Sequence, residues 1–238
     1  KALSALGANA VRLVLSNGRY AANYWQTNKD TASEIEPLVQ YCKANGMVVV
    51  LDDQTTTGSD DTGYLDSAVS YWLEMKDLLN ANKDYVILNI ANEWMGSWNG
   101  SSWASGYKTA IKSLRNAGID NMLVVDAPGW GQNGSNCVRY CQEVFNADAN
   151  KNTMFSIHMY GEAGGSSSTI KSHIDGVLGK GVPLMIGEFG HYHSDGDVNE
   201  TYIMQYCEQK GVGYLGWSWK GNGGGVEYLD IAKDWAGS

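Results

Sequence analysis

Short apolar runs alternate with longer stretches of helical spacing along nearly the whole chain. The clearest run, Val86-Ile87-Leu88-Asn89-Ile90-Ala91, stops abruptly at Asn92, Glu93 and Trp94. A run of this length bounded by turn residues predicts a strand buried on both faces, as in a parallel sheet. Strands are predicted over 11–16, 47–53, 86–93, 122–127, 155–160, 183–189 and 212–219. Between them, apolar residues at helical spacing predict helices over 32–45, 64–80, 103–117, 138–146, 169–180 and 198–210. The opening residues, Lys1 to Gly7, read as the last turns of a helix with glycine at its C-cap, and Ile231 to Trp235 hint at a final helix.

Seven strands alternating with helices imply right-handed βαβ units around a parallel sheet, either an open doubly wound sheet or a closed (β/α)8 TIM barrel. Two features favour the barrel. Nearly every predicted strand ends in a polar or aromatic residue, and no glycine-rich dinucleotide loop follows the first strand. The count is one strand short, and 238 residues fall below the roughly 250 typical of that fold. With the mid-helix opening, the expectation is that the first strand and the start of its helix are missing and that the last helix is clipped. Only three prolines occur, and the Gly/Ser clusters at 164–168 and 221–225 are short enough to be loops. One catalytic domain over 1–238 is therefore expected.

Charge narrows the partners. Twenty-six acidic against seventeen basic residues give a formal charge of −9, which disfavours nucleic acid and anionic membranes. No apolar stretch approaches the roughly 20 residues of a membrane span. The expected state is a monomer. Four cysteines, Cys42, Cys137, Cys141 and Cys207, are too dispersed for a disulfide scaffold; a local Cys137–Cys141 disulfide and buried free thiols are both compatible with the sequence. Asn-x-Ser/Thr tripeptides at Asn99, Asn133 and Asn199 matter only in a eukaryotic host.

The strand ends deliver Arg12, Asp52 with Asp53, Asn92 with Glu93, Asp126, His158 with Tyr160, Glu188, and Trp217 with Trp219. Glycosidic cleavage needs one carboxylic acid for the leaving oxygen and a second carboxylate across the sugar ring. Glu93 and Glu188 can supply both. Arg12 beside the nucleophile would keep it ionised, and an apolar setting would hold the acid protonated. Asn92 suits a sugar 2-hydroxyl, Tyr160 could donate to the nucleophile, and His158 could steer the acid. Each also has a structural alternative: a salt bridge for Arg12 or either glutamate, a satisfied core position for His158.

Nine tryptophans and fourteen tyrosines are many for this length. Trp25, Trp94, Trp98, Trp130, Trp217 and Trp219 follow strands, where indoles can stack on sugar faces. Trp217 and Trp130 are the preferred platforms, ahead of Trp103 or Trp235. His191-Tyr192-His193 has no third ligand in sequence reach, and Asp52, Asp53, Asp60 and Asp61 lack a calcium-loop pattern. No metal or cofactor is expected.

Together, Asn92-Glu93, Gly187-Glu188-Phe189-Gly190, Ile157-His158-Met159-Tyr160-Gly161 and Gly216-Trp217-Ser218-Trp219-Lys220-Gly221-Asn222 resemble glycoside hydrolase family 5. With Val11 to Gly18 and Asp126 to Gln132, the chain is similar to the family's bacterial endo-β-1,4-mannanase branch. The resemblance implies a secreted (β/α)8 barrel with Glu93 as acid/base, Glu188 as nucleophile, and Arg12, Asn92, His158, Tyr160 and Trp217 in support. Where the family usually carries histidine at the end of its third strand, this sequence has Asp52. The expected activity is retaining hydrolysis of mannan, glucomannan or galactomannan. Alternatives are an endo-β-1,4-glucanase on the same catalytic set and a non-catalytic carbohydrate-binding barrel.

Overall fold

The strands form where the apolar runs predict them. A computed structural model describes residues 1–20 and 28–237; Trp25 lies outside the described residues. After a short helix α1 (Ala2–Ala5), strand β1 (Ala10–Leu15) leads to α2 (Ala32–Ala44), whose entry is fixed by the Thr31 N–H donating to the Glu34 carboxylate at 2.9 Å. Strand β2 (Val48–Asp53) is followed by a 3₁₀ turn, Gln54–Thr56, and by α3 (Thr62–Glu74) and α4 (Lys76–Ala81). The single helix expected over 64–80 is thus two, broken at Met75.

The period continues with β3 (Val86–Asn89), α5 (Gly100–Asn116), β4 (Leu123–Asp126), α6 (Gly134–Ala147) and β5 (Thr153–Met159). Next come α7 (Gly161–Gly164), α8 (Ser167–Leu178) and β6 (Leu184–Phe189). A small hairpin, β7 (Tyr192–His193) with β8 (Gly196–Asp197), precedes α9 (Glu200–Lys210) and β9 (Gly213–Tyr214). Asparagines cap three of the helices: Asn99, Asn133 and Asn199 each accept from a first-turn amide. The cap at Asn133 starts α6 four residues earlier than apolar spacing alone suggests.

Seven strands form one parallel sheet in the order β1-β2-β3-β4-β5-β6-β9. The sheet curls, because Arg12 on β1 bonds Glu188 on β6 at 2.6 Å. Consecutive parallel strands joined by helices, curled in this way, are the architecture of the (β/α)8 barrel. A register shift between Ile157 and His158 sets His158 beside Glu188 rather than beside Gly187, the use to which bulges near sites are commonly put.

The core lies between sheet and helices, where Trp72, Trp103, Tyr107 and Phe155 are fully buried. Three of these aromatics also hold the strand ends. The β3 ladder stops at Asn89, and the backbone beyond it is secured from the helices: Trp72 Nε1 donates to Ile90 O at 2.8 Å and Tyr107 Oη to Ala91 O at 3.0 Å. Trp103 Nε1 does the same for Asp126 O at 2.8 Å. The strand expected over 86–93 therefore ends early, yet its polar tip is rigidly placed.

Two further expectations are corrected, and the alternative left open for the cysteines is decided. The strand expected over 212–219 is regular only at Gly213–Tyr214, although Leu215 N and Trp217 N still donate to Ile186 O and Phe189 O. Residues 231–235 form no helix, because the amides of Ile231 and Ala232 bond to Ser218 O and Trp219 O instead of to a preceding turn. Cys137 and Cys141 are free thiols, buried on consecutive turns of α6.

Candidate active site

The polar strand ends converge. Glu93 and Glu188 are 8% and 5% exposed, and one carboxylate oxygen of each lies with a His158 ring nitrogen in a group whose members are all within 4.8 Å of one another. Arg12 Nη1 donates to Glu188 Oε1 at 2.6 Å, and Tyr160 Oη donates to Glu188 Oε2 at 2.8 Å. Both oxygens of Glu188 are thus oriented by donors, one of them charged. Arg12 Nη2 donates to Asn92 Oδ1 at 2.6 Å, while Asn92 Nδ2 donates to Thr57 Oγ1 at 2.8 Å.

Glu93 is held differently. Its backbone has φ 46°, a left-handed conformation uncommon for a residue with a side chain. Its amide donates to Asp126 Oδ2 at 3.0 Å, and its carbonyl accepts from Gly58 N at 3.0 Å. The side chain meets His158 Nδ1 at 2.7 Å. Burial pushes the Glu93 carboxyl up to about 7, against the opposing pull of His158.

The surrounding charges divide unevenly. Burial opposes ionisation of Asp126, but His158, Arg12 and the Glu93 amide outweigh it and hold this carboxyl down at about 2. Burial likewise opposes charge on His158 and Arg12, yet the neighbouring carboxylates prevail and raise both well above their ordinary values. Asp52 goes the other way: burial, with Asp126 and Glu188 nearby, pushes it well up despite Arg12 at 3.1 Å. The centre thus has an Arg12–Glu188 ion pair and an acid of near-neutral pKa at Glu93.

Among the described residues, Glu93, His158 and Glu188 are the group whose donor atoms could approach a common metal ion. Arg12 and a protonated His158 already supply positive charge there, which a cation would have to displace.

Trp217 stands next to Arg12, with the guanidinium carbon 5.9 Å from its ring centroid, and its Nε1 donates to Asn222 Oδ1 at 3.0 Å. The peptide joining Trp217 to Ser218 is cis. Trp130 lies at the rim, half exposed, folded over Gly58 so closely that a Cβ there would sit 2.2 Å from the indole.

A family description, cellulase (glycosyl hydrolase family 5), matches residues 1–223. A mannan endo-1,4-beta-mannosidase of Salipaludibacillus agaradhaerens is 50% identical over 236 residues, covering 99% of this chain and 75% of that protein. The chain belongs to glycosyl hydrolase family 5. Another mannan endo-1,4-beta-mannosidase, from Streptomyces lividans, is 45% identical across 97% of this chain and 60% of its own length. The solved mannohexaose complex of Thermomonospora fusca beta-mannanase aligns with a TM-score of 0.83 at 41% identity, covering 94% of this chain and 73% of that one.

In this family 5 chain, Glu93, Glu188, Arg12, Asn92, His158 and Tyr160 meet in one cluster, with Trp217 beside it. Asp52 does not face the cleft. It is fully buried behind Arg12, suited to holding the guanidinium rather than reaching a sugar. Trp94 is no platform either: it is fully buried and donates to Asp61 O at 3.0 Å. The sequence reading missed the structural parts of Asp126 and Thr57. Asp126 carried a signal, since it ends a strand as Glu93 and Glu188 do; Thr57 sits in a Thr-rich loop and carried none.

Proposed function

We propose that this protein is an endo-β-1,4-mannanase that cleaves mannan, glucomannan or galactomannan with retention of configuration. The observation that carries the mechanism is the pair of glutamate oxygens within 4.8 Å. That spacing suits a carboxylate that attacks the sugar directly, because inverting pairs stand about 6.5 to 9.5 Å apart to admit a water. The substrate class rests on the 50% and 45% identity to mannan endo-1,4-beta-mannosidases.

In the first step a Glu188 oxygen attacks the anomeric carbon as the glycosidic C–O bond breaks. Glu93 gives its proton to the departing oxygen. In the second step Glu93, now a carboxylate, takes a proton from water, whose oxygen displaces Glu188 from the sugar. A carboxyl near pKa 7 serves both as acid and as base. Arg12 and Tyr160, each donating to one Glu188 oxygen, keep that carboxylate aimed. Asn92, fixed by Arg12 and Thr57, serves the sugar 2-hydroxyl, and Trp217 and Trp130 offer indole faces to the sugar chain.

Secretion and a monomeric state belong to the same reading. A polymeric polysaccharide does not cross a membrane, so its hydrolase works outside the cell.

Parallel assays on β-mannan and carboxymethylcellulose test the substrate class. Faster turnover of mannan is expected; equal or greater turnover of cellulose would replace this reading with an endo-β-1,4-glucanase. Absence of turnover on both would leave a carbohydrate-binding barrel.

A further inference from the structure

The β7–β8 hairpin, which contains the His191-Tyr192-His193 segment, leaves the end of β6 just after Glu188 and packs on the turn that begins at Tyr160. The ladder between β5 and β6 stops at Met159, so the amides beyond it need other acceptors. Two side chains supply them. Gln132 Oε1 accepts from Tyr160 N and from Ala163 N, each at 3.2 Å. Asp195 accepts from Gly161 N at 3.0 Å on Oδ1 and from Glu162 N at 2.9 Å on Oδ2. Gln132 Nε2 also donates to Asp195 Oδ2 at 2.9 Å, which ties the two acceptors to each other. Every amide from 160 to 163 thus ends on one linked pair of side chains, drawn from the loop after β4 and from the hairpin.

The backbone fit is equally close. A Cβ on Gly161 would stand 2.4 Å from the Asp195 carbonyl oxygen, so only glycine lets the hairpin lie on the turn. Beyond the hairpin, Asn199 N donates to Gly164 O at 2.9 Å, and within it the His193 ring packs on Tyr160 with centroids 4.9 Å apart. Burial opposes the charge on Asp195, but the Gln132 amide and the N–H groups of Glu162 and Gly161 outweigh it and hold the carboxyl below its ordinary value. Asp195 therefore accepts on both oxygens throughout the neutral range.

What this turn carries is the hydroxyl on the nucleophile. Glu188 Oε1 is held by Arg12, itself braced by Asp52 at 3.1 Å and Asn92 at 2.6 Å. Glu188 Oε2 is held by Tyr160, whose own brace is the turn: its amide ends on Gln132, and its carbonyl accepts from Gly164 N at 2.6 Å. Attack needs the carboxylate in line with the anomeric carbon, and a misplacement of about 1 Å can cost about 100-fold in rate. We propose that Asp195 is a positioning residue for the nucleophile: with Gln132 it fixes the 160–163 turn, and the fixed turn holds the Tyr160 hydroxyl on Glu188. This rests on the hydrolase reading above.

The test is a double-mutant cycle in the full chain: wild type, Asp195→Ala, Tyr160→Phe and the double variant, assayed on mannohexaose with thermal unfolding measured in parallel. The Asp195 side chain is 30% exposed, so its removal empties no core position. Asp195→Ala should lower kcat about tenfold and move KM less than about twofold. In the Tyr160→Phe background the same substitution should lower kcat less than about twofold, because the hydroxyl through which Asp195 acts is already gone. A tenfold loss in both backgrounds, or an unfolding temperature that falls while kcat of the folded enzyme stays at the wild-type value, would overturn the proposal. Should the alanine variant not fold, Asp195→Asn, which keeps the shape and one acceptor oxygen, enters the same cycle with an expected loss of about threefold in the tyrosine background alone, and the same outcomes decide. A wild-type chain inert on both mannan and carboxymethylcellulose would remove the hydrolase reading and the proposal with it, whereas additive losses in an active enzyme overturn the proposal alone.

Discussion

Two buried arginine–carboxylate clusters stand among the described residues, and they are built to opposite standards. At the amino ends of β4 and β5, Arg115 grips both oxygens of Asp148 at 2.8 and 3.0 Å and donates to the carbonyls of Ile119, Asn121 and Asn152. Asp148 also accepts from Asn150 N, Asn152 N and Thr153 Oγ1. One cation meets one anion, with every oxygen engaged. At the carboxyl ends of the strands, Asp52, Glu93, Asp126 and Glu188 crowd around Arg12 and His158. Arg12 Nε, both Asp52 oxygens, Asp126 Oδ1 and His158 Nε2 lack hydrogen-bond partners, and Glu93 sits at positive φ. The first cluster serves stability; the second tolerates strain and unmatched charge around a Glu93 carboxyl raised to about 7, as expected for the two faces of such a barrel.

The contrast is broken most sharply by Glu188→Ala, which should lower kcat on mannan roughly 10⁴-fold or more because the covalent route is removed. Circular dichroism should be unchanged, and near-wild-type turnover would place the nucleophile elsewhere. Arg115→Ala should do the reverse. Leaving Asp148 as a buried, unpaired charge costs about 3–5 kcal/mol in urea unfolding, while kcat of the folded enzyme stays at the wild-type value.

Acidity sharpens the contrast further. Burial opposes ionisation of Asp148, but Arg115, Thr153 and Asn150 outweigh it and bring the carboxyl down to about 2. A depressed folded pKa gives stability that is fully present above the unfolded value near 4 and lost as pH falls to about 2. The loss should reach about 2 kcal/mol and vanish in Asp148→Asn. Glu93 has the opposite sign: its folded pKa of about 7 lies above the unfolded value, so its contribution is present in acid and lost as pH rises through 7. The same titration sets the smallest effect, an alkaline limb in kcat/KM near pH 7 with about a tenfold fall per unit beyond it. A pH profile flat to 9 would contradict that assignment.

Much of this was legible in the amino-acid order. The runs before Glu93 and Glu188 are buried on both sides, so their apolar character is continuous and their polar tips stand out. Arg12, Asn92, His158 and Tyr160 follow from the same rule applied to other strands. What depends on tertiary packing was not legible. Trp94 and Trp98 look alike in sequence, yet one is fully buried and the other 55% exposed. Asp52 reads as a cleft residue until Arg12 is seen lying over it. The pairing of the Ile231 and Ala232 amides with Ser218 and Trp219 is decided by partners distant in the chain. The Gln132–Asp195 pair that holds the 160–163 turn becomes visible only when the β7–β8 hairpin is packed against α7.

Direct attack of Glu188 on the sugar, with Glu93 as its acid/base partner, fixes the configuration of the product. Proton NMR of mannohexaose hydrolysis, recorded before mutarotation, reads the configuration of the first reducing end released. Double displacement releases the β anomer first; an initial α anomer would mean inversion and would rule out Glu188 as nucleophile.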